Sequence, residues 1–490
     1  MSLARGAARG TAWNFATVLV ERGFGFVILS ILLHFIPAST VGVVAIGSAI
    51  ADLVRMVTVG GAGEQVQASP GDRETEAGAF WAQLLASLLF ALALLACASA
   101  VARLYEQPAL RFVLQTLALN VVATCFVVVP AARLESAFRF RAIGMMSFGS
   151  TVAGGLVALP FALLGKGVDA LVYQRIAGTF FFAVAACWVA RWIPPLPPAP
   201  AALRRSLRFS LPLMQAAIVD YFSITGYVML IGLRMSAADV GQFRIAQRLV
   251  EVLQEIAFTP ARKVFLPVFV AVRADEARRF EMTRRMLDAL SVTMFLAATV
   301  AGAAARPLVF LMFGPRWAEA VPVFSIIALM APVTAFYGMI NPLLTAASRT
   351  RTVGWFALAN AAIILVTVWF AAPGGLLVLA WALAARGLVS AGLLIPALKL
   401  GLNRPAGGLA RLLVLPFIAL LAGRALGHAA LVMLPGLSLF AQLFLAIVSA
   451  ASGFAAVMLV AAPRRVHAIA AQLHRALRRE ASLALEQAPE

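Results

Sequence analysis

The chain has 490 residues, 62% of them hydrophobic and 12% charged, with a formal net charge of +19. A soluble domain carries about 25% charged residues, so a soluble globular protein is excluded for most of the chain. In a lipid setting the positive balance is the signal that retains cytoplasmic loops, and no nucleic acid is expected as a partner.

Apolar runs of bilayer length recur to position 462. In lipid such runs must be helices, because every backbone polar group has to be satisfied within its segment. The short alternating pattern of a transmembrane β-barrel is absent. The predicted fold class is therefore an all-α polytopic membrane protein with about 14 transmembrane helices.

Residues 1–12, MSLARGAARG and the two that follow, have no cleavage site before a long apolar helix and read as a cytoplasmic tail. Helices are predicted near 13–36, 39–61, 78–99, 108–130, 143–164 and 168–190, which make an N-terminal bundle over 13–193. A Pro/Arg-rich connector at 194–208 follows, stiffened by its prolines. A second bundle over 209–400 holds helices near 209–233, 239–261, 286–305, 317–341, 353–372 and 375–398. Helices near 409–433 and 437–461 are left as an appendage over 401–462. In the tail, 463–490, Val466, Ile469, Leu473 and Leu477 share a face between basic residues. That pattern fits an amphipathic helix on the inner leaflet and equally a solvated tail. With the N-terminus inside, most of the 40 Lys and Arg fall in inside segments and five in outside loops. This asymmetry places both termini in the cytoplasm of a bacterial inner membrane.

A shift of 199 residues lays the first two helices on the seventh and eighth without a gap. Glu21 falls on Asp220, Val41-Gly42 on Val240-Gly241, and Asp52 on Glu251. An offset of six helices preserves direction through the membrane. The two bundles are then related by a pseudo-twofold axis along the membrane normal, as in parallel-repeat transporters. Two like bundles make a central cleft able to open to either side.

Ionisable groups at bilayer depth cost about 2.5–3.5 kcal/mol on insertion scales and face protein or a wet cavity. Arg22, Arg55, Arg244 and Arg248 are expected to give such a cleft cationic walls that hold an anionic substrate, since guanidinium forks suit phosphate oxygens. Glu21, Asp52, Asp220, Glu251 and Glu255 are the acidic partners or coupling-ion candidates. Arg244, Arg248, Glu251 and Glu255 are spaced four, three and four apart, one stripe along a helix. The bland alternative is local neutralisation, Arg248 by Glu251 and Arg55 by Asp52. Ser223 and Tyr227 lie near the side of Asp220. Arg175 and Arg386 read as a repeated structural pair, and Arg424 with His428 as a packing contact. Asn120 reads as interhelical glue.

No nucleotide-binding glycine loop is present. The four histidines have no metal-ligand spacing, and the three cysteines all lie in apolar runs. No catalytic residue, metal or cofactor is assigned, and an enzyme is not expected.

The segments GTAWNFATVLVERGFGF, RLESAFRFRAIG, LLGKGVDALVYQRIAG, RRSLRFSLPLMQAAIVDYF and FGPRWAEAVPVFSIIALMAPV together resemble the Wzx-like O-antigen and exopolysaccharide flippases. These are polysaccharide transporters of the multidrug/oligosaccharidyl-lipid/polysaccharide exporter superfamily, and the resemblance covers roughly residues 5–400. It implies movement of undecaprenyl-pyrophosphate-linked oligosaccharide repeat units across the inner membrane by alternating access. The partners expected are that lipid-linked oligosaccharide, membrane lipid, and the polymerase and other proteins of polysaccharide synthesis. Two alternatives stay open: a cation-coupled multidrug exporter of the same superfamily, and a non-transport membrane scaffold for polysaccharide synthesis.

Overall fold

The computed structural model describes residues 23–258, 265–266, 268–272, 275–402, 407–463 and 465. Glu21, Arg22, residues 1–12 and the apolar tail face from Val466 lie outside them. Among the described residues the chain is helical and contains no strand.

The helices are α1 (Gly23–Phe35), α2 (Ala38–Val59), α3 (Ala62–Ala68), α4 (Arg73–Leu104), α5 (Ala109–Ala123), α6 (Cys125–Ser136), α7 (Phe140–Leu163), α8 (Gly167–Val189) and α9 (Pro200–Tyr221). They continue as α10 (Tyr227–Arg234), α11 (Ala237–Ala257), α12 (Glu276–Ala303), α13 (Ala305–Phe313), α14 (Ala320–Tyr337), α15 (Ile340–Ala346), α16 (Thr350–Ala371), α17 (Leu376–Leu402), α18 (Val414–Met433) and α19 (Leu439–Ala461).

Eleven helical stretches among the described residues are long and apolar enough to cross a bilayer. Their outward faces are themselves apolar. Leu89, Phe370, Phe440 and Phe444 are each at least 65% exposed, surface that only lipid would tolerate at this density. The chain is a multi-span membrane protein. The other three expected spans coincide with α1, α11 and α14, which are helical but shorter or more polar than the eleven. Of the fourteen expected helices, eleven are thus matched by a described stretch of crossing length and composition.

Helix ends follow local chemistry. The Asp72 carboxylate caps α4 by accepting from the Glu74 N–H at 3.1 Å. Asp275 caps α12 through the Arg278 N–H at 2.9 Å. The connector after Trp192 is extended as its prolines require, but Pro200 sits in the first turn of α9, where its missing N–H is harmless. Helical structure therefore begins at Pro200, and Arg204, Arg205 and Arg208 ride on it.

The described chain divides into two compact units. Unit 1 holds the chain up to Ile245, with Met312–Glu319 and Gly354–Ala382. Its core is built where α2, α4, α5 and α8 pack together and α7 lies along α8. Small residues permit that last approach: Ser150 Oγ donates to the Gly178 carbonyl at 2.9 Å. An aromatic cluster of Phe80, Trp81, Phe126 and Trp192 closes one end. At the opposite end the FGPRW segment seats Trp317 in a fully buried position, its indole N–H donating to the Leu33 carbonyl at 3.3 Å.

Unit 2 comprises Ala246–Leu311, Ala320–Val353 and the chain from Leu383 onward. α18 and α19 pack face to face through Gly423, Ala450 and Gly453, and both lie against α12. Arg424 on α18 donates to the Ser325 carbonyl of α14 at 2.7 Å, the packing role expected for it. The last two helices are thereby integral to unit 2.

Candidate functional site

The site is built from α2 outward. Asp52 and Arg55 lie three residues apart, so one helical face carries both, and Arg55 Nε donates to Asp52 Oδ1 at 3.1 Å. Arg175, from the middle of α8, binds the same carboxylate oxygen. One carboxylate therefore holds two guanidinium groups, leaving the cluster one positive charge in excess. The three side chains stay between 21% and 35% exposed, so they face open space rather than a sealed core.

That space is a cavity of about 400 Å³ within unit 1. Arg55 and Arg175 form its charged wall, and Asn120, Thr124, Ser150 and Gln174 its polar lining. Asn120 is 4% exposed, and its side-chain carbonyl oxygen has no hydrogen-bond partner among the described residues. A buried amide of this kind calls for water or a ligand group. The polar lining comes from four helices, α2, α5, α7 and α8, with Thr124 at the α5–α6 junction, and each of the four belongs to a stretch long and apolar enough to cross a bilayer.

Of the residues singled out in the sequence, Asp52 and Arg55 meet here. Arg175, placed there as half of a structural pair, joins them, and Asn120 lines the chamber besides any packing role. Gln174 and Thr179 also line it and were not singled out. Their one signal was polarity within the apolar run ALVYQRIAGTFFF.

The stripe on α11 is realised as a self-neutralising row. Arg248 Nη1 lies 3.1 Å from Glu251 Oε2 and 3.6 Å from Glu255 Oε1, and Arg244 sits one turn earlier, partly exposed. Asp220 is exposed near the end of α9. Immediately after it, Phe222–Gly226 form a π-helical turn, a local widening often found at functional positions. Ser223 is occupied structurally, donating to the Val219 carbonyl at 2.9 Å, and Tyr227 is buried.

The family described as polysaccharide biosynthesis protein matches residues 31–322. The succinoglycan biosynthesis transport protein ExoT of Rhizobium meliloti (strain 1021) is 26% identical over 383 residues, 76% of this chain and 76% of its own. The lipopolysaccharide biosynthesis protein WzxC of Escherichia coli (strain K12) is 21% identical over 365 residues, 71% of this chain and 72% of its own. Among solved structures, the lipid II flippase MurJ in an inward closed conformation superposes with a TM-score of 0.68 at 11% identity. It covers 91% of this chain and 98% of that one. An inward-facing multidrug resistance MATE family transporter gives 0.62 at 13% identity, covering 80% and 96%. At these identities the structures speak for a shared fold, while the sequence match spans more than half of the chain. The chain belongs to the polysaccharide biosynthesis protein family, of whose relatives here ExoT carries the name of a transport protein.

Proposed function

We propose that the protein is a flippase that carries undecaprenyl-pyrophosphate-linked oligosaccharide repeat units across a bacterial inner membrane for surface polysaccharide synthesis. The observation that carries this reading is the cationic excess on the polar chamber of unit 1. Arg55 and Arg175 share a single carboxylate, so one guanidinium equivalent is left to attract an anionic head group. Guanidinium forks pair with phosphate oxygens in two parallel hydrogen bonds and stay charged at every working pH. The polyprenyl chain remains in lipid while the head passes through a hydrophilic path, and the two parallel-repeat halves alternate in access. Arg244 and Arg248 on α11 are proposed as further cationic contacts for the head group. Both termini face the cytoplasm.

Asp52 is poorly suited to be a proton or sodium site, because two arginines already neutralise it. This weighs against the cation-coupled drug exporter, which needs a carboxylate able to exchange its ion.

The test is complementation of a strain lacking the gene, scoring surface polysaccharide and inner-leaflet lipid-linked oligosaccharide. Arg55→Ala is expected to reduce export at least about ten-fold, the loss of one charged hydrogen bond of about 1.5–3 kcal/mol, and to accumulate the lipid-linked precursor, with protein level unchanged. Normal export from that variant would remove the phosphate-binding role. It would favour a scaffold, for which the intramembrane charges are dispensable.

A further inference from the structure

At one end of unit 1 an apolar groove and a small polar pocket share a wall. The groove, about 1440 Å³, runs along the outer faces of α4, α5 and α8, where Leu88, Leu119, Phe180 and Val184 line it. The pocket, about 300 Å³, lies between Pro70-Gly71 and the turn joining α6 to α7, with Arg133 and Ser136 in its lining. Arg139 and Ala190 line both. Arg191 and the 81%-exposed Trp188 also line the groove.

The charges around this junction are unequal. Arg133 pairs with Glu76 at 3.3 Å, and Glu135 is turned to α3, accepting from Gln67 Nε2 at 2.6 Å. That leaves Arg139 as the cation of the shared wall, with Arg191 beside it on the groove side, next in the chain to Ala190. Arg139 Nη1 donates to the Val189 carbonyl at 3.1 Å, which fixes the guanidinium at the junction. The group has five N–H donors, enough to bind a phosphate beside that bond. Tryptophan with arginine at a helix end marks the headgroup level of a bilayer, and this is the basic end proposed to face the cytoplasm.

An apolar trough opening beside a cationic pocket is the negative image of an anionic amphiphile. The pocket is at the lower limit of ligand sites, adequate for a phosphodiester head and too small for an oligosaccharide. We propose that unit 1 binds an anionic phospholipid of the inner leaflet. Its phosphate is held by Arg139 and Arg191, and its acyl chains lie in the α4–α5–α8 groove. This site is separate from the chamber of the proposed transport path, and its assignment stands or falls without that reading.

The full-length protein, purified in detergent, would be titrated with dioleoyl phosphatidylglycerol and dioleoyl phosphatidylcholine, and bound lipid counted by native mass spectrometry. Retention of phosphatidylglycerol over phosphatidylcholine is expected. Arg191→Asn should weaken it about five-fold, the share of one basic residue at an anionic lipid surface. Asparagine is chosen because position 191 has φ of 48°, which Asn tolerates. Val184→Trp, on the lipid-facing wall, should lower retention by filling the groove while leaving the core intact. Arg103→Ala, near the other end of α4, should leave retention unchanged. Equal retention of the two lipids, or wild-type retention in both groove variants, overturns the proposal. Displacement of phosphatidylglycerol by substoichiometric polyprenyl pyrophosphate also overturns it, since the site would then belong to the carrier.

Discussion

Gly42 and Gly241 each lie against the backbone of the other's helix. A Cβ added at Gly42 would stand 1.7 Å from the Ala237 carbonyl oxygen, and one added at Gly241 would stand 2.0 Å from that of Ala38. The 199-residue shift carries Ala38 onto Ala237 and Gly42 onto Gly241. The contact is therefore reciprocal, each helix start offering its alanine to the other's glycine. Reciprocity of this kind is what a twofold axis produces, and it is what the proposed repeat would require of these two helix starts.

Valine at either glycine cannot be accommodated by a rotamer change, because the obstacle is main chain. Gly42→Val and Gly241→Val are each expected to destabilise by more than the 1–3 kcal/mol of ordinary overpacking, seen as a lower melting temperature in detergent and less protein in the membrane. Gly354→Ala, where nothing lies within 4 Å of the added atom, should be neutral or slightly stabilising. A wild-type melting temperature for the two valine variants would contradict this contact.

Asp52→Asn keeps the shape of the side chain and strands two guanidinium groups. Fully buried pairs cost about 3–5 kcal/mol when one partner is removed. These groups are 21–35% exposed, so about 1–3 kcal/mol is expected. Adding Arg175→Gln to Asp52→Asn should recover part of that loss, with a coupling of about 0.5–3 kcal/mol in the double-mutant cycle. Strict additivity of the melting shifts would show that the cluster is not a unit.

The helices were legible in the sequence because a bilayer-length apolar run admits one regular structure. The pairs Asp52–Arg55 and Arg248–Glu251 were legible for a related reason: on one helix, spacing of three alone sets neighbours. Arg175 was not, since it meets Asp52 across 123 residues of chain. Nothing in a single helix says which partner it will face when most of its surface is equally apolar. The start of α9 was misplaced by a proline that reads as connector but works as a first-turn residue. Likewise the seat of Trp317 under Leu33 depends on a contact 284 residues apart.

Trp317→Phe tests that seat. Phenylalanine fills much of the volume but lacks the N–H that serves the Leu33 carbonyl. The expected cost is about 1–3 kcal/mol, the loss of a buried hydrogen bond with one partner left behind. It should be read as a melting shift, with faster cysteine labelling at a reporter placed at position 34. An unchanged labelling rate and melting temperature would mean that packing alone holds the FGPRW segment.

Arg465 fastens the chain beyond α19 to unit 2. Its guanidinium pairs with Asp288 on α12, donates to Ser291 Oγ at 2.8 Å and to the Leu412 carbonyl at 3.0 Å, and is only 14% exposed. Two separate segments, α12 and the turn at Leu412, thus converge on one side chain, and α18 and α19 are held to α12 at the end where the tail begins. Arg465→Ala removes all three bonds and leaves Asp288, 28% exposed, without its cation. A loss of about 1–3 kcal/mol is expected, smaller than for a sealed pair because water reaches the carboxylate. Asp288→Asn in the same background should restore part of it by removing the stranded charge, whereas Arg465→Lys should not, since one ammonium cannot span a carboxylate, a hydroxyl and a carbonyl in a fixed fork. Limited proteolysis is the sharper readout. If Arg465 anchors this end, cleavage between α17 and α18 should accelerate in Arg465→Ala while sites in unit 1 keep their rate. Equal acceleration in both units would mean that the side chain supports global stability and not this local attachment.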